Sequence, residues 1–241
     1  MIGGPDERPR QLPFSLALAP SFRREDFVVG HSNRAAWTLI ERWPDWPHRV
    51  ALIVGGEGTG KSHLATIWAQ RAGARIVSAE MLADSDPVSL VQTGALVVED
   101  CDRFPIDEPV LFHLLNAVLS ANGYLLLTAR VPPSEWTIGT VDLASRLRAI
   151  PPTLIGVPED DLLMRVLSKL FRDRQIAVDP SVAGYLVLRM ERSFRAGLRV
   201  VEALDREALA RGRPITRPMA AEVLDREGLG DHDGEDDDPA A

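Results

Sequence analysis

The stretch that most constrains this chain is Leu52-Ile53-Val54-Gly55-Gly56-Glu57-Gly58-Thr59-Gly60-Lys61-Ser62-His63-Leu64. An apolar run stops in glycines and restarts with helical periodicity, a pattern of strand, tight loop and helix. Gly55 and Gly60, followed by Lys61 and Ser62, fit G-x-x-x-x-G-K-S, and each part has its own task. Gly55, Gly58 and Gly60 are expected to carry the backbone through positive φ and close to a ligand, so that successive N–H groups form a nest for phosphate oxygens. Lys61 is placed to reach β- and γ-phosphates, and the Ser62 hydroxyl to hold Mg2+. The helix from Lys61 to Arg71 aims its positive end at the same anion.

Strands and helices alternate around this loop. Phe27-Val28-Val29-Gly30 leads to Ser32-Asn33, a cap expected to start a helix running to about Trp43. Trp43-Pro44-Asp45-Trp46-Pro47 is turn-rich, because residues before proline avoid the helical region. Val50 to Gly55 is the first strand and Ala74 to Ser78 a short second one; residues 79 to 93 form an irregular helical stretch broken by Pro87. Ala95 to Asp100 is the third strand. Pro109 to Ala121 is amphipathic, with Leu111, Leu114, Leu115, Val118 and Leu119 on one face. Tyr124 to Thr128 as the fourth strand, a stretch from Leu143 to Leu147 carrying Arg146, and a fifth strand from Pro152 to Val157 complete the order. Such an order predicts an α/β fold, a five-stranded parallel sheet buried on both faces.

From Pro158 the periodicity is purely helical, with helices over 160–175, 180–190, 193–210 and 216–224. Arg195 stands in the first turn of the third of these. A helix N-terminus disfavours a cation, so an anionic partner is expected there.

Leu96-Val97-Val98 ends in Glu99-Asp100, two acids at the carboxyl end of a buried strand, where open α/β sheets bind ligands. Glu99 can hold a Mg2+ shell through water while Asp100 orients or deprotonates an attacking water. Thr128 ends the fourth strand at the same edge, to sense a γ-phosphate or simply to cap the strand.

Composition narrows the rest. A chain of 241 residues, 45% hydrophobic, can bury a substantial core. No apolar run is long enough to span a bilayer, Asp6 and Glu7 do not suit a signal peptide, and Cys101 has no disulfide or metal partner at useful spacing, so a cytoplasmic location is expected. Six of the eight net negative charges come from Asp231, Asp233, Glu235, Asp236, Asp237 and Asp238, leaving a nearly neutral body with no overall attraction for nucleic acid. The sequence divides into an arm over 1–21, an α/β domain over 22–157, a helical domain over 158–228 and an acidic tail over 229–241. Within the arm, Gln11-Leu12-Pro13-Phe14-Ser15-Leu16 reads either as a groove-binding peptide or as a strap on its own domain.

The phosphate loop, Glu99-Asp100, Thr128, Arg146 and Arg195, in this order, resemble the AAA+ ATPases, and in particular the ATPase module of the bacterial replication initiator DnaA and its Hda-type relatives. The resemblance runs from about Phe22 to Leu224. It implies an AAA+ P-loop domain with a helical lid, adenine packing against Val28 and Val29, and nucleotide contacts from Gly55, Gly58, Thr59, Gly60, Lys61, Ser62, His63 and Arg195. Ser62 and, through water, Glu99 are the implied Mg2+ ligands. Asp100, the sensor-like Thr128 and Arg146, acting on a neighbour's nucleotide as an arginine finger, are the implied catalytic residues.

Hda-type regulators imply more. Gln11, Leu12, Phe14 and Leu16 resemble the peptide that docks on the DNA polymerase sliding clamp. The partners implied are DnaA and the clamp, with DNA reached only through the clamp, no membrane, and room for a homodimer. ADP or ATP with Mg2+ is the implied cofactor. The function implied is negative regulation of replication initiation by stimulating hydrolysis of DnaA-bound ATP. Glu99 stands where the initiator usually has Asp. A stand-alone ATPase that loads or remodels a helicase, and a generic P-loop interaction module, are the other readings.

Overall fold

The computed structural model describes residues 22–230 other than residue 104. In chain order the elements are α1 (Arg34–Arg42), β1 (Val50–Gly55), α2 (Lys61–Ala72), β2 (Arg75–Ser78), α3 (Pro87–Leu90), β3 (Ala95–Glu99), α4 (Glu108–Ser120), β4 (Tyr124–Ala129), α5 (Val141–Arg148), β5 (Pro152–Ile155), α6 (Asp160–Asp173), α7 (Pro180–Val187), α8 (Phe194–Arg211) and α9 (Arg217–Glu227). The strands form one sheet in the order β2-β3-β4-β1-β5. Every pairing is parallel.

Both faces of the sheet are covered, which is why β1, β3 and β4 are almost uninterrupted apolar runs. Leu52, Leu96, Leu125 and Leu127 face a core completed by α4 and α5. Ile53, Val97 and Leu126 face the opposite core, where Leu64 and Trp68 of α2 and Ile40 of α1 pack. Trp46 of the proline-rich linker stacks on Trp68 at 5.1 Å, so that linker is part of the packing. A third core, built around Leu163, Leu167, Val200, Leu204 and Met219, holds α6 to α9 together.

Acid and hydroxyl caps set many of the helix starts. Asp86, Asp107, Asp179, Ser193 and Thr216 accept backbone N–H groups two or three residues ahead, at α3, α4, α7, α8 and α9. Pro87 therefore opens α3 and does not break a helix; at the first helical position its missing N–H costs nothing. Asn33 is not a side-chain cap of α1. Its amide turns back, accepting Gly30 N–H at 2.8 Å and donating to Val28 O at 3.0 Å, which shapes the preceding loop. Leu119 is 52% exposed and lies off the buried face of α4. The helical domain runs past residue 228: Leu229 packs in its core and Gly230 bridges to Met190.

Parallel register brings the functional edge together. Val54 is level with Ala129 and Val98 with Leu127, so the carboxyl ends of β1, β4 and β3 stand side by side.

Candidate functional site

At that edge the loop after β1 turns into α2. Gly58 and Gly60 have φ of 70° and 98°, the left-handed region that glycine adopts without penalty. Gly55 does not, contrary to the expectation of positive φ at all three glycines; it is needed because a Cβ there would lie 2.9 Å from both Ile155 O and Thr59 Oγ1. The N–H groups of Gly58, Gly60, Lys61 and Ser62 donate to no backbone carbonyl outside the helix among the described residues. They form, with the N-terminus of α2, a concave set of donors that fits phosphate.

Lys61 and Thr59 fasten the loop to itself. The Lys61 ammonium donates to Gly55 O at 2.7 Å and Gly56 O at 2.8 Å, and the Thr59 hydroxyl to Gly56 O at 2.8 Å. Burial lowers the Lys61 pKa first, against the pull of Asp100, Asp102 and Glu57, with Arg130 adding to the lowering. An ammonium held in this way gains from a further anion.

Glu99 is half-buried beside the Ser62 hydroxyl. Burial raises its pKa, and Ser62 and Lys61 oppose the rise. Its Oε1 is buried without a partner among the described residues. A carboxylate oxygen of that kind next to a hydroxyl fits the water shell of Mg2+, with Ser62 the residue that would offer it a direct oxygen. The chain then turns sharply: Asp100 has φ 58°, a left-handed conformation that Asp tolerates better than most residues. The Thr128 hydroxyl accepts Asp100 N–H at 3.2 Å and the Thr128 carbonyl accepts Cys101 N–H at 2.9 Å. Thr128 thus sits directly under the acidic turn. Cys101 is fully buried, which raises its thiol pKa and leaves it inert.

The helical domain closes over the loop. Phe194 N–H donates to Gly58 O at 2.9 Å, and the Phe194 and Phe27 rings flank Gly60. Arg195 does find an anion at the start of α8: it pairs with Glu57 of the phosphate loop. Glu159, just before α6, accepts His31 N–H at 2.6 Å and Ser32 N–H at 3.3 Å. Burial would raise its pKa, but these N–H donors and the Ser32 side chain outweigh that and bring it to about 2. Arg165 of α6 donates to Val29 O at 3.1 Å. The Val28-Val29 segment is therefore held from both domains. The His63 ring turns away from the loop to meet Phe22 and Phe27 edge-on, with Nε2 2.9 Å from Arg23 O.

Arg146 lies elsewhere. Its guanidinium bonds Asn116 Oδ1 at 3.0 Å and Asp142 at 3.2 Å, and covers the Phe112 ring at 4.8 Å from the centroid. All these partners are on α4 and α5. Gln11, Leu12, Phe14 and Leu16 fall outside the described residues. Glu57, Asp102 and Glu159 were not singled out from the sequence. Glu57 carried a signal, being the acid nearest in kind to what Arg195 required; Asp102 and Glu159 act on residues 28 and 128 positions away and carried none.

Residues 160–224 match the family model described as Hda, lid domain. The fold is similar to domain III of the Thermotoga maritima replication initiation protein DnaA, 17% identical, with 86% of this chain and 97% of that one covered at a TM-score of 0.71. AMPPCP-bound DnaA from Aquifex aeolicus is 18% identical over 88% of this chain and 70% of its own, at 0.66. The Thermotoga maritima RuvB Holliday junction branch migration motor is 15% identical over 81% and 66%, at 0.61. Among the described residues no helix is long and apolar enough to cross a membrane. The chain thus has the fold of the DnaA ATPase domain, a parallel P-loop sheet, and ends it in a helical segment that matches an Hda lid.

Proposed function

We propose that this chain is a negative regulator of replication initiation, one that binds a nucleotide at the Gly55–Ser62 loop and uses Arg146 to stimulate hydrolysis of ATP held by DnaA. The observation that carries this reading is the placement of Arg146: among the described residues every partner of its guanidinium lies on α4 and α5, and none in the chain's own phosphate site. Its side chain is 41% exposed. An exposed i,i+4 ion pair and an exposed cation–π contact are together worth about 1 to 2 kcal/mol. An arginine finger contributes roughly 10³ to 10⁵ in rate, or about 4 to 7 kcal/mol, in a dry interface. Its present contacts therefore align the guanidinium without preventing its transfer.

The chain's own site serves as a shape-setting nucleotide site. Lys61 and the loop N–H groups hold phosphates, Val28 and Val29 border the base, and Arg195 and Phe194 tie the lid to the loop. Ser62 and, through water, Glu99 would hold Mg2+, which would supply neutralisation of the phosphate charge. Either ADP or ATP fits this role. The arm peptide, with Gln11, Leu12, Phe14 and Leu16, docks the regulator on the sliding clamp and so brings it to DNA.

A second reading has its own support. The orphan Glu99 Oε1 and the adjoining Asp100 turn stand where hydrolysis in cis needs them, which favours an ATPase acting alone as a loader or remodeller. ATP turnover separates the two. Measured with this protein alone, with DnaA, and with DnaA plus DNA-loaded clamp, turnover that rises only in the full mixture and disappears on deleting residues 11–16 supports the regulator. Turnover by the chain alone that Asp100→Asn removes and Arg146→Ala spares overturns it.

A further inference from the structure

A cationic cleft on the helical domain and the acidic segment 231–241 have no part in the function proposed so far. The cleft, about 500 Å³ in volume, lies where α7 meets α9 and is lined by Ser181, Gly184, Tyr185, Leu188, Arg189 and Arg217. Leu188 is 70% exposed. The Arg189 guanidinium lies over the Tyr185 ring, 4.3 Å from its centroid, and meets no carboxylate among the described residues. Arg217 is the first residue of α9, whose first turn holds no acid. The helix dipole disfavours a cation there unless an anion joins it. Arg217 Nε donates to Ser181 O at 3.3 Å. Asp179 feels the charge of Arg217 but is already engaged as the cap of α7, accepting Ser181 N–H at 2.8 Å.

Backbone bonds fix where the chain leaves the helical domain, and they do so beside this cleft. Leu229 is buried, and its carbonyl accepts Glu191 N–H at 3.1 Å. Gly230 forms an antiparallel bridge with Met190. An antiparallel neighbour runs backward along its partner, so the exit at Gly230 is directed toward Arg189 and Leu188, the side of the cleft. The sequence that follows is Asp231-His232-Asp233-Gly234-Glu235-Asp236-Asp237-Asp238, six acids next to two arginines without carboxylate partners among the described residues.

We propose that residues 231–241 dock in cis on this cleft as an acidic latch, with Asp231 and Asp233 leading onto Arg189 and Arg217. Residues two apart in an extended chain share a side, which suits two acids to one cleft. Exposed ion pairs are individually weak. The tether, however, starts one residue from the cleft and sets an effective concentration on the order of millimolar, so a contact too weak to hold a free peptide suffices. While docked, the latch covers the cationic face of α7 and α9 and withdraws it from other anions.

The test uses the full chain, isotope-labelled for NMR, with a nitroxide attached through Ala241→Cys; Cys101 is buried and does not compete. Paramagnetic broadening of the Tyr185, Leu188, Arg189 and Arg217 amide signals is compared with that in a chain of equal length whose six tail acids are changed to amides, Asp→Asn and Glu→Gln. At about 0.01 M ionic strength, where the screening length is about 30 Å, broadening at the cleft is expected to be about threefold or more stronger with the acidic tail. It falls to the neutral-tail level at about 1 M, where screening acts within about 3 Å, and in the exposed double variant Arg189→Gln, Arg217→Gln. Equal broadening with acidic and neutral tails, a pattern unchanged by the double variant or by high salt, or broadening centred on another surface overturns the proposal. Broadening of equal strength between a nitroxide-bearing chain and a separate isotope-labelled chain also overturns it, by assigning the tail to a second copy.

Discussion

The Glu159 carboxylate accepts the backbone N–H of His31 at 2.6 Å, joining the head of the lid to the loop that carries Val28 and Val29. Space around this contact is exhausted: a Cβ on Gly30 would stand 2.4 Å from Glu159 Oε1 and 2.6 Å from Leu162 Cδ2. Gly30→Ala is expected to push the lid off this loop and lower both the melting temperature and nucleotide affinity.

Glu159 also sets a pH dependence. Its pKa is about 2 in the folded chain against an ordinary 4.5, so the unfolded state binds a proton that the native state refuses. The stability it adds is fully present above pH 4.5 and is lost as pH falls toward 2. Glu159→Gln should destabilise by about 1 kcal/mol at neutral pH, a hydrogen bond to a charged group discounted for partial exposure. In thermal melts the gap between parent and variant should close below pH 4.5; a gap independent of pH would refute the assignment.

His63 is lowered from 6.5, because burial against Phe22 and Phe27 disfavours its charged form more than the Arg23 carbonyl favours it. Here too the unfolded state binds the extra proton, so stability is full above pH 6.5 and declines as pH falls through 6.5 toward the folded value. His63→Gln should show a flatter decline between pH 6.5 and 5 in chemical denaturation. A variant that loses stability as steeply as the parent over that window would place the proton elsewhere.

Lys61→Ala removes the ammonium that spans the Gly55 and Gly56 carbonyls. At ADP near 100 times its dissociation constant, the parent should gain about 2.7 kcal/mol of stability and the variant almost none. Differential scanning fluorimetry with and without ADP measures this, and an equal gain in both proteins would mean that the loop does not hold phosphate.

Arg146→Ala should abolish stimulation of DnaA's ATP hydrolysis, a fall of about 10³-fold or more, without altering this protein's own nucleotide affinity. Arg146→Lys should restore little, since the planar fork is lost. Asn116→Ala, which removes one positioning bond, should reduce stimulation by a smaller factor with the fold intact. Full stimulation by Arg146→Ala would remove the finger.

Elements with a local cause were legible in the sequence. The spacing of Gly55, Gly60, Lys61 and Ser62 set β1 and the start of α2 to the residue, and the dipole argument at Arg195 led to an anion, Glu57. Pro87 was misread because a proline breaks a helix or begins one according to what precedes it, and Asp86 makes it a beginning. Asn33 was misread for the opposite reason: it has the chemistry of a cap, but the nearby carbonyl of Val28 and amide of Gly30 claim its side chain. Asp102 and Glu159 could not be singled out by any local pattern, because the strand order and the lid contact that give them partners arise only in the folded chain.

Phe194 N–H bonds Gly58 O, one backbone to another. A seam of that kind has no side chain to exchange, so no single substitution at either residue deletes both its donor and its acceptor. Chimeras that graft a different lid onto this sheet must therefore match a backbone path through residues 193–194, whatever residues they carry; a graft matched only by residue identity will leave the Gly58 carbonyl without its donor.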